Sequence, residues 1–456
     1  MNLNELWTLL PLLILACGAL VVLLLGAVEP GRHTTWTGVV CCCGAALWAV
    51  QTPPLVSVSF GMSDTPLVRS FILFFCLLAA AVLIVSLEYN EQRGIHGEEY
   101  PATILFVTFG MVAMAGATNL LVLFLGLETM TFGFYILVAI DLKRGTASEA
   151  GLKYLLLGAV STGFLAFGLA LLYFTSGTLE SAALLKQCSG EPLAVLGWGF
   201  VLIGIAFKLS LVPAHFWTPD IYQGAPAPVV AFLSGGSKCA TILFAVTLLS
   251  TIGNYSALRT PLLALALLSM ILGNLAALLQ KSIRRMLAYS SIAQMGYVAL
   301  ALLAGGAGGF KAALFYAFTY ALMSLTAFGA IAVFERSGIT DQLEDYRGGG
   351  CKEPFAAAVL ALSMFALAGI PPTAGFTGKF MIFAAALRSG ETAAAVIGIL
   401  TAAASAYYYL RVVVNLYMLK PEKAGRIEIS LAEKLVLSTA AILLVIFGLF
   451  PMLLDL

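Results

Sequence analysis

Apolar positions run along this chain in long unbroken stretches separated by short polar connections. About 20 consecutive apolar residues are needed to cross a bilayer as a helix. Reading runs of about 17 or more on that basis predicts fourteen membrane-spanning helices, at 7–28, 35–50, 69–87, 101–118, 120–140, 153–174, 194–214, 228–250, 260–280, 285–304, 310–333, 354–384, 391–419 and 431–450. The second run is short, and Asn119 is the punctuation between the fourth and the fifth. The first run has no basic segment before it and leads straight into further spans, so it reads as a helix rather than a removable signal. The longest charged connection, 334–353, is too short for a globular domain.

Composition agrees with that solvent. Of 456 residues, 61% are hydrophobic and 10% charged, against about a quarter charged in soluble proteins. The net charge of +1 says little, but its distribution says more. Connections after odd-numbered spans hold Arg32, Arg93, Lys143, Arg144, Lys281, Arg284, Arg285, Arg336, Arg347, Lys352, Lys420, Lys423, Arg426 and Lys434. Those after even-numbered spans hold Arg69, Lys186, Arg259, Lys311 and Arg388. The positive-inside rule then places the odd connections in the cytoplasm and both termini on the far side. Cys17, Cys41, Cys42, Cys43, Cys76, Cys188, Cys239 and Cys351 lie mostly in apolar runs without metal-ligand spacing, and read as packing residues. Three histidines argue against haem or a His-rich metal site.

Four ionisable residues fall well inside spans: Glu128, Lys208, Lys238 and Lys379. A charge at the bilayer centre costs about 3 kcal/mol or more, so such groups face a bundle interior or a wet cavity. Snorkelling to the headgroups is the alternative for the lysines; the short side chain of Glu128 cannot use it. Burial disfavours the charged form of either group and a nearby opposite charge restores it, so a moving partner can switch protonation. Glu128 opposite Lys208, handing on to Lys238, would form such a unit. Lys153 and Arg411 lie near span ends, where snorkelling and function are equally good readings. His215, Asp220 and Tyr222 stand where the seventh span ends and are candidates for a polar exit; equally, Asp220 would cap a helix there.

Helix breakers accompany two of the lysines. Pro213, Pro219, Pro226 and Pro228 follow Lys208, while Gly369, Pro371, Pro372, Gly375 and Gly378 precede Lys379. Unwound backbone at membrane depth is tolerated only against protein or water. An unwound segment is expected near 371–375, with its freed carbonyls toward water or Lys379. Spans four to eight and nine to thirteen form two five-helix halves, with a broken fourth helix in each. An odd repeat length inserts them in opposite senses. The expected fold is an all-α polytopic membrane protein of about 14 transmembrane helices, with two inverted five-helix repeats and broken helices 7 and 12. Its parts would be a three-helix region at 1–100, repeats at 101–250 and 260–420, and a C-terminal helix at 421–456.

The stretches LGLETMTFGFYIL, SEAGLKYLLLGAVSTG, FKLSLVPAHFWTPDIYQGAPAPVVAFLS, KSIRRMLAYSSIAQMGY and LAGIPPTAGFTGKF resemble the antiporter-like membrane subunits of respiratory complex I. The resemblance covers residues 60–420, and is strongest to the subunit N branch, which is similar to mitochondrial subunit 2. It implies proton-relay roles for Glu128 of LGLET, Lys208 of FKLSLVPAHFW, Lys238 of SGGSKCA and Lys379 of GFTGKF. No ionisable side chain lies deep in the eleventh span beyond Lys311, so a relay through it would use Tyr316, Thr319, Tyr320 or water. Lys153, His215 and Asp220 complete the candidate relay positions.

The resemblance further implies a proton-translocating subunit of a bacterial inner-membrane NADH-quinone oxidoreductase. NADH, FMN, iron–sulfur clusters and quinone are expected in partner subunits, and no cofactor in this chain, which has no dinucleotide fingerprint or cluster spacing. Its expected partners are the other membrane subunits, sister antiporter-like subunits among them, with lipid and protons carried by internal water, and no nucleic acid. A subunit of a multisubunit sodium/proton antiporter would share the fold without dependence on NADH. A passive scaffold would tolerate loss of Lys208, and a solute transporter would need a central pocket of convergent polar groups.

Overall fold

The computed structural model describes residues 3–29, 31–51, 61–95, 97–181, 191–252, 256–420 and 429–454. Lys186, Cys188, Lys423 and Arg426 lie outside the described residues. The secondary structure of the described residues is helical, with isolated backbone bridges such as that between Ser282 and Gln342. The chain forms two compact units, Met1–Gly204 and Ile205–Leu456.

The first unit holds α1 (Leu3–Val28), α2 (Arg32–Gln51), α3 (Pro66–Arg93), α4 (Glu99–Gly116), α5 (Leu120–Ala139), α6 (Gly145–Ser176) and most of α7 (Pro192–Lys208). Helix α1 packs on α2 and α4, α3 on α2 and α4, and α5 on α4 and α6. Helices α4 and α5 approach backbone to backbone: a Cβ added to Gly110 would lie 2.5 Å from the Met130 nitrogen. Small residues permit such contacts where lipid supplies no hydrophobic drive for helix association. Asn119 starts α5 by accepting a hydrogen bond from the Leu121 N–H at 2.8 Å.

The second unit continues with α8 (Trp217–Gly224), α9 (Ala227–Phe232), a π-helical turn (Leu233–Ser237), α10 (Lys238–Ile252), α11 (Ser256–Leu278), α12 (Ile283–Ala304) and α13 (Gly306–Arg336). After a short α14 (Gly349–Lys352) come α15 (Pro354–Ala368), α16 (Ala374–Arg388), α17 (Thr392–Tyr417) and α18 (Leu431–Leu449). Helix α13 is the hub, in contact with α9, α10, α12, α15, α16 and α18. The most apolar windows of α12 and α13 are 94% buried, against 33% for α17 and α18, so the latter present their apolar faces outward. Among the described residues eleven helices are long and apolar enough to cross a membrane, and α7 and α15 are apolar but shorter.

Ion pairs tie helix ends together inside this unit. Arg336 at the end of α13 donates to both carboxylate oxygens of Glu433, at 3.0 and 2.8 Å, with both side chains buried. Arg259 of α11 pairs with Glu391 beside α17 at 2.5 Å. Arg411, ambiguous in the sequence, donates to the Gln280 carbonyl just beyond α11, at 2.5 Å.

Candidate functional site

Helices α7 and α15 end in the same way. The Leu211 N–H reaches the Ala206 carbonyl and the Ser210 N–H that of Phe207; likewise Ile370 bonds to Phe365, and Gly369 to Ala366. This paired closure needs a left-handed residue after the helix, supplied by Ser210 (φ 61°) and Gly369 (φ 84°). Glycine takes that conformation freely, whereas serine does so at a cost of about 1–2 kcal/mol. Groups at this helix end find further partners: the Val212 N–H donates to Ser269 Oγ at 2.9 Å, and Trp217 Nε1 donates to the Phe207 carbonyl at 3.0 Å. Lys208 is the last residue of α7, 4% exposed, at the end where a helix dipole favours a cation.

At α15 the sequence itself opens the site. Leu367 and Ala368 carbonyls would accept from the N–H groups four residues on, but those residues are Pro371 and Pro372, which have none. Lys379 takes both positions: its Nζ donates to Leu367 O at 2.7 Å and Ala368 O at 3.2 Å. The ammonium also lies 5.4 Å from the centre of the Tyr297 ring, within cation–π range. Only 5% of Lys379 is exposed, so its tip is held in protein. The non-helical stretch is 369–373; Gly375 and Gly378, expected to help unwind the chain, are helical. Their task is close contact: a Cβ on Gly375 would stand 1.8 Å from the Ala366 carbonyl oxygen, and one on Gly378 2.6 Å from the Tyr316 ring.

Lys238 follows directly on the π-helical turn, which sets the extra residue of LSGGS into the helix; such turns recur at functional sites. Gly235 within it permits the approach of α13, since a Cβ there would lie 3.0 Å from Ala321 Cα. Lys238 is completely buried, donates to Ser291 Oγ, and has the Tyr222 ring centre 5.6 Å from Nζ.

Helix α12 carries the polar groups between these two lysines. Ser291 Oγ accepts from Lys238 and from the Tyr320 hydroxyl at 2.6 Å, filling both lone pairs. Its own proton therefore points to Tyr222 OH, 3.2 Å away. Next to it, Ser290 Oγ pairs with the Tyr409 hydroxyl. Gln294 Nε2 donates to Tyr409 OH at 2.9 Å and to Leu367 O at 3.1 Å, and its Oε1 accepts from Tyr316 OH at 2.5 Å. A third cluster joins Asn274 to Tyr297 at 3.0 Å and Tyr408 at 2.9 Å. Tyr316 and Tyr320 stack with ring centres 6.4 Å apart, bringing the Lys238 and Lys379 groups side by side. Thr319 is buried but bonds back to its own helix, at Phe315 O and Tyr316 O.

One end of α12 is heavily charged. Arg284, 2% exposed, donates to the carbonyls of Gln223 (3.0 Å) and Ala225, and pairs with Glu335 at 3.2 Å. Arg285 pairs with Asp220 at 2.8 Å, and Asp341 accepts from the Gln223 amide at 2.8 Å. Asp220 is thus in the first turn of α8 and ion-paired. Beyond the spans, burial and the carboxylates Glu335 and Asp341 push the Tyr346 hydroxyl well above its ordinary range, with Arg284 opposing them. His215 is half-buried and lies against Phe216, with ring centres 4.7 Å apart and planes tilted by 30°. Lys311 is exposed on the opening turns of α13.

In the first unit Glu128 is half-buried on α5 and accepts from Thr162 Oγ1 of α6 at 2.8 Å. Lys153 lies at the surface of α6, paired with Glu149 one turn away at 2.7 Å.

Residues 117–405 match the family model described as NADH:quinone oxidoreductase/Mrp antiporter, TM. The NADH-quinone oxidoreductase subunit N of Geobacter metallireducens is 57% identical over 455 residues, covering 99% of this chain and 97% of the relative. The chain belongs to this family. Among solved structures, a chain of respiratory complex I from Thermus thermophilus with bound aureothin is similar, with 34% identity, a TM-score of 0.84, and coverage of 97% of this chain and 98% of that one. A chain of the membrane-bound sulfane sulfur reductase, an archaeal respiratory complex, has 26% identity and a TM-score of 0.89, with coverage of 98% and 95%.

For a member of this antiporter-like family, the site contains polar residues that a search for charges passes over: Ser290, Ser291, Gln294, Tyr297, Asn274, Tyr408 and Tyr409. A signal was present. In AYSSIAQMGY the groups of Ser290, Ser291, Gln294 and Tyr297 recur at i, i+1, i+4 and i+7, on one face of the helix.

Proposed function

We propose that this chain is the proton-translocating membrane subunit of an NADH-quinone oxidoreductase, with Glu128, Lys208, Lys238 and Lys379 as its relay. The observation that carries the reading is the pair of ammonium groups buried in protein, Lys238 on a serine hydroxyl and Lys379 on two carbonyls at a helix end. Neutral oxygens hold a cation without fixing its proton, whereas a tight carboxylate pair would hold both. Moving one charge across the membrane takes about 2.3 kcal/mol per 100 mV, and forming or breaking a buried ion pair works on that scale. Lys153, His215, Asp220, Lys311, Tyr316 and Tyr320 are the further relay candidates. Tyr316 and Tyr320 are the best supported of these, because their hydroxyls contact Gln294 and Ser291.

Counting α2, α7 with α8, and α15 with α16 as spans alongside the eleven long helices gives fourteen. The parts at 1–100, 101–250, 260–420 and 421–456 belong to this proposal, with two inverted repeats whose fourth helices are broken after Lys208 and before Lys379. Their common helix-end geometry at Ser210 and Gly369 supports the repeat. The membrane is the bacterial inner membrane, with both termini outside; cysteine labelling from outside near Arg347 rather than Arg388 would reverse that orientation. NADH, FMN, iron–sulfur clusters and quinone belong to partner subunits, and this chain carries no redox centre. The family model also covers Mrp antiporters, but the 57% identity to a subunit N favours the oxidoreductase. Purification of the native complex decides: subunits that oxidise NADH are expected with the chain, and antiporter subunits alone would overturn the assignment.

A further inference from the structure

We propose that Gln294 is a gate that keeps the Lys238 side and the Lys379 side of the site protonically separate; the inference rests on the relay reading above. The amide orientation is decided by chemistry, since Leu367 O can only accept and therefore faces Nε2. Its second N–H goes to Tyr409 OH, and Oε1 receives the Tyr316 proton. Tyr409, accepting from Gln294, also shares a hydrogen bond with Ser290 in which either hydroxyl can donate. The three hydrogen bonds of the amide itself each run in one fixed direction. Hydroxyls and water pass a proton by taking one and releasing another, but an amide N–H is not released near neutral pH. Leu367 O, with Lys379 and Gln294 on its two lone pairs, is a carbonyl that cannot take a proton either.

Gln294 is completely buried. Removing its amide exposes Tyr316 OH, Tyr409 OH and Leu367 O to one space, enough partners to hold a water. That water would touch the Ser290–Tyr409 pair on one side and the oxygen that holds Lys379 on the other. Directional transfer needs this connection closed in one state and open in another, and rotation of the Gln294 side chain is the smallest motion that does so.

The test compares Gln294→Ala, which opens the space, with Gln294→Met, which fills it without hydrogen bonds. Both are measured in the assembled complex reconstituted into vesicles, alongside Lys379→Met. Two readings are taken: protons moved per NADH oxidised, and the decay of an imposed pH gradient without NADH. A gate predicts that Gln294→Ala lowers the proton ratio several-fold and speeds the decay, while Gln294→Met, which keeps the space filled, leaves the decay at the native rate. Equal loss in both variants with an unchanged decay would mean that Gln294 only supports the fold, and the gate is wrong. If the Gln294 variants match the native complex while Lys379→Met pumps poorly, the gate alone fails. If none of the three changes the ratio, the relay reading fails with it.

Discussion

Lys379 closes the open end of a helix eleven residues before it: its ammonium lies 2.7 Å from the carbonyl oxygen of Leu367. Pro371 leaves that oxygen without its usual donor, so the break and the lysine form one device rather than two neighbouring oddities. The C-terminal end of α15 offers a partial negative charge, and burial in protein removes the headgroup route that snorkelling would require. The same oxygen accepts from Gln294, so Lys379 and the α12 polar stripe meet at one backbone atom.

Lys208 is expected to need an exchangeable proton rather than a fixed charge. Lys208→Ala should impair pumping, and Lys208→Arg should not restore it, because a guanidinium stays charged near neutral pH. Proton uptake by vesicles, normalised to NADH oxidation, is the readout. Full recovery with arginine would show that a permanent cation suffices.

Glu128→Gln should lower quinone-coupled pumping several-fold, yet leave NADH oxidation by an artificial acceptor to the partner subunits. Thr162→Val, which removes the 2.8 Å hydrogen bond to Glu128, should have a smaller effect, since hydrogen bonds to charged groups contribute about 1.5–3 kcal/mol. Normal acidification per NADH in Glu128→Gln vesicles would remove this carboxylate from the relay.

The Arg336–Glu433 pair is a fastener between α13 and α18. Arg336→Met leaves a buried carboxylate without its guanidinium, at a cost of about 3–5 kcal/mol. Adding Glu433→Leu should recover much of that stability. Thermal unfolding of the detergent-solubilised complex checks both, and a double variant no better than the single one would contradict the assignment.

Much of this fold was legible in the apolar runs, because lipid imposes one simple demand on length and polarity. The run at 285–304 became α12 at Ile283–Ala304, and the run at 260–280 became α11 at Ser256–Leu278. Asn119 was readable as the punctuation between two spans, and its side chain acts there locally, as the cap of α5. The 31-residue run at 354–384 became two helices, and there local reading went only part of the way. Prolines announced a break, but the helical Gly375 and Gly378 serve close packing between helices, Gly375 against Ala366 of α15 and Gly378 against Tyr316 on α13. Gln294 meeting Tyr409 and Leu367 is likewise tertiary. Those residues are uncharged, so no desolvation cost marks them out in the sequence, and only packing brings α17 and α15 to α12.

The proposed route of protons across this chain runs through its buried lysines. It is tested most directly by the number of protons moved per NADH oxidised in vesicles carrying the assembled Lys379→Met complex. Methionine keeps the unbranched stem, one heavy atom shorter, but offers no proton. Normal assembly and fewer protons per NADH than in the native complex are expected; an unchanged ratio would contradict this route.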